Sequence, residues 1–489
     1  MQLIINNMKT KTFTFLKGSA LLLACLTSSI VNAQTVTTGI VNSETGVHNL
    51  RAYDQSGINV FDSPKDTNAV FTGLKVKFGA GFTQSFQGLK HENTSILPAN
   101  ALYKITPGFN TANANLFMDV QLADGIRLNL TSYLSSRHHN ETWVKGGYIQ
   151  FDKLPFESKI LSDIMKVTTI KIGHMEINYG DQHFRRTDGG HSLYNPFIEN
   201  YIMDAFTTEI GGEILVRKNN LFGLVGVSNG MIKGNIESLN ATPADANIHK
   251  SPAFFFKGGY DKQLNANVRV RVAASYYTNQ SSAGQTLYAG DRTGSNYYMT
   301  MEKAIAVPAV AASPEVDGTP AIGTTPAIPA KDAVAAVPAV KSSTGAQFTS
   351  GRFDPSFRKK VDAIMLNGFV KAYGLELFAT YEIAKGRTAA ESVSRDATQI
   401  AMDAVYRFGK TENLFVGARY NTVKSEILVG TARQEININR TAFAAGWFLT
   451  KNVMLKGEYV TQNYKDFAVT DFRNGGKFNG YVIQAVVGF

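Results

Sequence analysis

The sequence is short of three things that most chains of its length use. Cysteine occurs once in 489 residues, charged residues make up 18%, and no long hydrophobic run occurs beyond the N-terminal stretch. The single Cys25 lies in that stretch, so no disulfide framework supports the rest of the chain. Nothing after it is long and apolar enough for a membrane-spanning helix. Catalytic and cofactor patterns are missing too. His138 and His139 have neither cysteine nor paired carboxylates at metal-ligand spacing. No glycine-rich phosphate loop leads from a strand into a helix. His191, Ser192 and Asp188 are sequence neighbours in one loop, which does not make a triad. These absences argue against an enzyme, a metal or cofactor site and a nucleic-acid binder.

What is present suits strands. Glycine (43), tyrosine (20) and phenylalanine (31) are plentiful, as twisted strands and interfacial belts require. The N-terminus reads as a secretion leader over residues 1–33. Lys9, Lys11 and Lys17 give the positive region, Gly18 to Leu26 the short apolar region, and Val31-Asn32-Ala33 the small residue before a cut. Loss of the leader's three lysines lowers the formal charge from +10 to +7. At the far end Tyr481, Ile483, Ala485, Val487 and Phe489 alternate with Val482, Gln484, Val486 and Gly488. An alternating last strand that closes on Phe489, with Tyr481 in the same phase, resembles the assembly signal of outer-membrane barrels.

The interior repeats this period of two. Leu116, Met118, Val120 and Leu122 pass through Asp124-Gly125 to Ile126, Leu128 and Leu130, a hairpin with a tight turn. Met402, Ala404, Tyr406 and Phe408 lead through residues 409–412 into Leu414, Val416, Ala418 and Tyr420. About sixteen such segments fit between residues 71 and 489, with short turns on one side and long loops on the other. Closure satisfies every backbone group in lipid and leaves no edge. The expected fold class is therefore all-β, a transmembrane antiparallel barrel of about sixteen strands. Residues 34–70 are polar and without periodicity, and are expected in the periplasm. Residues 304–341 form an Ala/Val/Pro-rich insert in the fifth long loop, extended because proline every few positions removes ladder donors.

Sixteen strands enclose a width that wall side chains cannot fill, so the contents of the third long loop decide what passes. That loop, about residues 180–206, carries Asp181, His183, Arg185, Arg186 and Asp188. Here the chain resembles the general and phosphate-selective porin families of Gram-negative bacteria. The strand entering the loop, Gly173-His174-Met175-Glu176-Ile177-Asn178-Tyr179-Gly180, is similar to their Gly-x-x-x-x-Pro-Phe-Gly pattern, with Asn178 for the proline and Tyr179 for the phenylalanine. The resemblance implies an inward-folded third loop as the pore constriction, and a homotrimer in the outer membrane. It also implies contact with outer-membrane lipids, lipopolysaccharide and the barrel-assembly machinery. It implies no cofactor. No N-terminal domain is large enough to be the plug of a TonB-dependent transporter.

His183, Arg185 and Arg186 would favour anions in a low-dielectric neck, against Asp181 and Asp188; alternatively the arginines pair with acids and only hold the loop. Lys75, Lys77, Arg127, Arg269, Arg271, Arg407 and Arg419 fall on the lumen phase and add a mild anion, phosphate-like, lean. Ile170 and Ile172 share one phase and Met175 and Ile177 the other, which predicts a β-bulge at Gly173. The expected function is passive diffusion of small hydrophilic solutes through an outer-membrane porin. The alternative is a structural or adhesive surface barrel with a closed lumen.

Overall fold

The computed structural model describes residues 47–489 apart from 67, 135–141, 233–240, 243, 247, 291–294, 307–340 and 343–349. The leader, residues 34–46 and nearly all of the Ala/Val/Pro-rich insert thus lie outside the described residues. Alternating sequence becomes strand throughout. The first eight are β1 (Lys75–Glu92), β2 (Asn113–Ala123), β3 (Ile126–Leu134), β4 (Thr142–Phe151), β5 (Thr168–Glu176), β6 (Thr208–Lys218), β7 (Leu221–Ser228) and β8 (Ala253–Asn265). The rest are β9 (Val268–Asn279), β10 (Lys359–Ala372), β11 (Leu375–Arg387), β12 (Arg395–Phe408), β13 (Leu414–Val429), β14 (Ala432–Thr450), β15 (Val453–Lys465) and β16 (Lys477–Gly488). Each pairs antiparallel with the next. β1 returns to β16, from Gly81 opposite Gly488 to Glu92 opposite Lys477, and closes the barrel.

The outer face is apolar. Phe78, Leu116, Ile172, Ile364, Phe443, Trp447 and Ile483 are each about half exposed or more, which in water would be costly and in lipid is favourable by roughly 1.5–3 kcal/mol per fully covered side chain. Tyr481 and Phe489 belong to this outward phase. Phe489 also exchanges two backbone hydrogen bonds with Ala80 (3.0 and 3.1 Å), so the terminal residue seals the seam between first and last strands.

Tight turns join most strands at one end, such as Asp124-Gly125 and Tyr373-Gly374, whose Gly125, Tyr373 and Gly374 take positive φ. One turn on that side is longer and holds a short helix, α1 (Lys159–Met165), capped by Ser158. On the opposite side the connections are long, with an exception. Between β13 and β14 the turn is only Gly430-Thr431, and the two strands run to 16 and 19 residues instead, well beyond the 9–11 that span a membrane. Length that elsewhere goes into loop is here added to a projecting hairpin. The insert leaves the fifth loop through a two-residue ladder, Ile305–Ala306 against Lys341–Ser342.

Two expectations change inside the barrel. Gly173 sits in unbroken register with both neighbours, Tyr148 on one side and Gly211 on the other. No bulge forms there because Met175 and Ile177 keep the inward phase and are buried, 5% and 3% exposed. A register shift instead falls between β3 and β4 at Thr131/Ser132, where Lys145 is the extra residue. The lumen wall is also not uniformly polar. Towards the long-loop end, Met365, Ala397, Val423, Ile436, Val460 and Phe478 face inward and are buried. They pack in one apolar cluster with Phe197, Ile198 and Ile202 of the third loop and Leu287, Tyr297 and Phe357 of the fifth.

Candidate functional site

The third loop, between β5 and β6, opens with a 3-10 turn (Gln182–Arg185) and then runs from wall to wall. On β8 and β9, Lys257 and Arg271 bind Asp181 (both 2.8 Å). Further on, Gln399 of β12 exchanges hydrogen bonds with Met203, donating to its carbonyl and accepting from its N–H (2.6 and 2.9 Å). Arg419 of β13 donates to the Glu199 carbonyl (2.7 Å) and Arg440 of β14 to that of Asn200 (2.6 Å). Lys456 of β15 donates to three loop carbonyls, Ser192, Asn195 and Phe197, at 2.8–3.0 Å. At β1 and β2 the loop comes against the wall itself. A Cβ on Gly190 would lie 2.5–2.6 Å from the backbone of Ala114, Asn113 and Gly81, so glycine is what permits that approach. Buried backbone groups need partners, and the inward side chains of the wall supply them.

The fifth loop packs on the same side. Tyr288 donates to Glu382 of β11 (2.8 Å), Gln484 of β16 reaches Asn296 (3.4 Å), and the Phe353 N–H donates to the Ile202 carbonyl (2.6 Å). The space this leaves is off-centre, a cavity of about 230 Å³ against β2 to β6. Wall residues include Phe117, Arg127, Asn129, Lys145, Tyr148, Lys171 and Glu213; the loop contributes His183, Phe184, Arg186, Asp188, His191 and Tyr194. From Arg127 to Thr131 and from Lys171 to Glu176 it follows the strands for about 15 Å at ~3.3 Å per residue.

A third segment completes it. Residues 47–66, part of the segment expected in the periplasm, lie against inward-facing wall groups. Tyr53 donates to Asp119 (2.8 Å), Arg217 donates to the Ser63 carbonyl (2.6 Å), Arg271 pairs with Asp62 (3.2 Å) and Lys65 with Asp152 (3.2 Å). The sequence gives no periodicity because the segment is neither strand nor helix. It is a chain of turns, with Asn49, Asn59 and Asp62 in the left-handed region that asparagine and aspartate tolerate, and a 3-10 turn at Gln55–Gly57 capped by Asp54. Leu50, Arg51, Tyr53, Asp62 and Ser63 line the cavity.

The residues singled out from sequence divide accordingly. His183, Arg186 and Asp188 line the cavity; Asp181 and Arg185 do not. Burial alone would raise the Asp181 carboxyl, but Lys257 and Arg271 hold it well below the usual carboxylate range. Arg185 is 3% exposed and bound to Asn59 and Glu376. Arg186 is paired with Asp204 (2.6 Å) and Asp188 (3.3 Å) and stacked on Phe206 (3.6 Å). His183 meets Glu176 and Asn178. Burial pushes His191 down to about 4, so it is neutral, donating to the Tyr53 carbonyl (2.8 Å).

On the wall, Arg127 is matched by Asp119, Arg269 by Asp261, Arg407 by Glu376 and Arg419 by Asp403, all at 2.7 Å, and Arg271 by three aspartates. Lys75 and Lys77 hold the inward phase at the short-turn end of β1 and are more exposed. Inward cations that sequence reading passed over are Lys145, paired with Asp188, Lys171, paired with Glu213 (3.4 Å), Lys257 and Arg440. Lys171 was legible, alternating with Ile170 and Ile172; Lys145 is hidden by its bulge.

Fold and interior together define a class. A closed, even-stranded antiparallel barrel with an apolar exterior and a polar-walled interior is a transmembrane β-barrel of an outer membrane, and sixteen strands is the size of a porin barrel. No protein-family model matches the sequence, and no curated protein is similar to it. Among solved structures it is similar to an anion-selective porin from Comamonas acidovorans, with TM-score 0.47, 8% identity and coverage of 85% of this chain and 100% of that one. It is also similar to the outer membrane channel DcaP of Acinetobacter baumannii (0.44, 10%, 86% and 99%) and to OmpT of Vibrio cholerae (0.44, 9%, 85% and 98%). No residue of this chain takes a role from these likenesses.

Proposed function

We propose that the chain is a diffusion channel for small hydrophilic solutes, with the third loop folded inward as one wall of its neck and residues 1–33 a cleaved leader. The observation that carries this is the cavity between that loop and β2 to β6, with charged side chains in its lining, in a barrel too wide for its own wall side chains to close. Transport is electrodiffusion, with no chemical step. Five cations line the cavity (Arg51, Arg127, Lys145, Lys171 and Arg186) beside four carboxylates (Asp62, Glu176, Asp188 and Glu213), which supports a mild anion preference. Assembly as a homotrimer, in contact with lipopolysaccharide and seated by the barrel-assembly machinery, belongs to the same reading.

One observation favours a second reading, a surface barrel whose lumen stays shut. The third and fifth loops bury a continuous apolar cluster against the wall from β6 to β16. Proteoliposome swelling separates the two. A channel lets small sugars and small organic anions in at rates that fall steeply with solute size; a shut barrel gives the rate of protein-free liposomes for every solute.

A further inference from the structure

Residues 47–66 are fixed in place more firmly than a trailing N-terminal segment needs to be. Bonds hold them on opposite sides of the interior. Tyr53 and Lys65 bind the β2–β5 side through Asp119 and Asp152, whereas Asn59 binds Glu376 of β11 (2.5 Å) and accepts from Arg269 of β9 at its carbonyl (2.9 Å). The Gln55 amide reaches the turn between β12 and β13 at Thr411 (3.1 Å), which sets the segment at the short-turn end of the barrel. It also joins the third loop, through His191 to the Tyr53 carbonyl and Tyr194 to the Ala52 carbonyl.

Its place in the solute path follows from the cavities. Two further cavities, about 630 Å³ and about 300 Å³, lie at the short-turn end, and residues 47–66 line both. Each shares one lining residue with the neck, Arg127 in the first case and Asp62 in the second. Residues 47–66 thus line the neck and both cavities at the short-turn end, where a solute crossing the barrel would meet them.

Arg51 stands out within it. The other four cations of the neck are all in ion-pair contact with carboxylates, whereas no carboxylate among the described residues lies within ion-pair distance of Arg51, and Glu176 and Asp62 act on it only from further off. Its Nε donates to the Gly57 carbonyl (2.9 Å) and its Nη2 to the Phe184 carbonyl (2.8 Å), and its guanidinium lies 3.6 Å from the centre of the Tyr194 ring. Carbonyls and a ring face fix the group without cancelling its charge. A fixed charge that no carboxylate touches weighs heavily in the field of a narrow, low-dielectric passage.

We infer that residues 47–66 form the second wall of the neck and that Arg51 is its selectivity-determining residue. This rests on the reading of the barrel as a diffusion channel. The test replaces Arg51 by cysteine and records reversal potential in a salt gradient across a planar bilayer, before and after labelling with a methanethiosulfonate carrying either a quaternary ammonium or a sulfonate; wild type treated alongside is the control. Arg51→Cys should lower the anion-to-cation permeability ratio by about twofold or more; the ammonium should restore it and the sulfonate should push it further towards cations. Reversal potentials that both labels leave unchanged, with labelling shown complete by mass spectrometry, would overturn the assignment. Arg51→Lys against Arg51→Gln asks the same without cysteine: Lys should keep the preference and Gln lose it, and equal values overturn it. A wild-type barrel without conductance defeats the channel reading itself, while a conducting barrel indifferent to the charge at position 51 defeats only this one.

Discussion

Of the two third-loop arginines that attract notice in the sequence, Arg186 lines the cavity and Arg185 does not. Arg185 and Arg186 sit in the loop that sequence alone marks as the constriction, yet Arg185 is spent on Glu376 and Asn59, with Arg407 of β12 on the same glutamate. Removing it leaves buried acceptors short of a donor, a loss of roughly 1–3 kcal/mol. Arg185→Ala is therefore expected to lower the urea midpoint of the refolded barrel and to leave its reversal potential where wild type has it. A shift in selectivity as large as that of Arg51→Gln would return Arg185 to the neck. Sequence could show which loop carried charge, because loop and strand differ in period. It could not show pairing, because the partners of Arg185 lie 126 and 191 positions away. Arg51 left no signal, since a run of turns has no period to read.

Strands were the most legible level. Alternation located the hairpins at Asp124-Gly125 and at residues 409–412, and each joins the strands expected of it. Phase was readable wherever one face met lipid. It misled at Met175 and Ile177, which keep the inward phase although apolar: Ile177 packs in the apolar cluster that the loops make, and Met175 lines the cavity. The lipid-facing phase carries its own prediction. Ile483 lies mid-strand on β16, 51% exposed and outward, so Ile483→Arg is expected to cost about 2–4 kcal/mol near the bilayer midplane, read as a lowered urea midpoint in lipid vesicles. An unchanged midpoint would place that position away from hydrocarbon.

At the scale of the molecule, the sixteen-strand barrel is a frame, and on the proposed channel reading the passage is decided by what the chain puts inside it. Loops three and five take the side facing β10 to β16, and residues 47–66 take the short-turn end. Among the described residues, one of the spaces between them is an eccentric neck against β2 to β6 whose wall and loop cations, Arg127, Lys145, Lys171 and Arg186, are paired. Fold and size were readable from alternation, turn chemistry and the closing Phe489. The filling was not, because contacts between a loop and an opposite wall follow no local pattern. The central claim is that this neck conducts. Single-channel recording of the purified full-length barrel in a planar bilayer tests it most directly: the account predicts discrete conductance steps, smaller than an unfilled sixteen-strand lumen would give, with a reversal potential of anion-preferring sign in a salt gradient. Repeated insertion without any conductance step would contradict it.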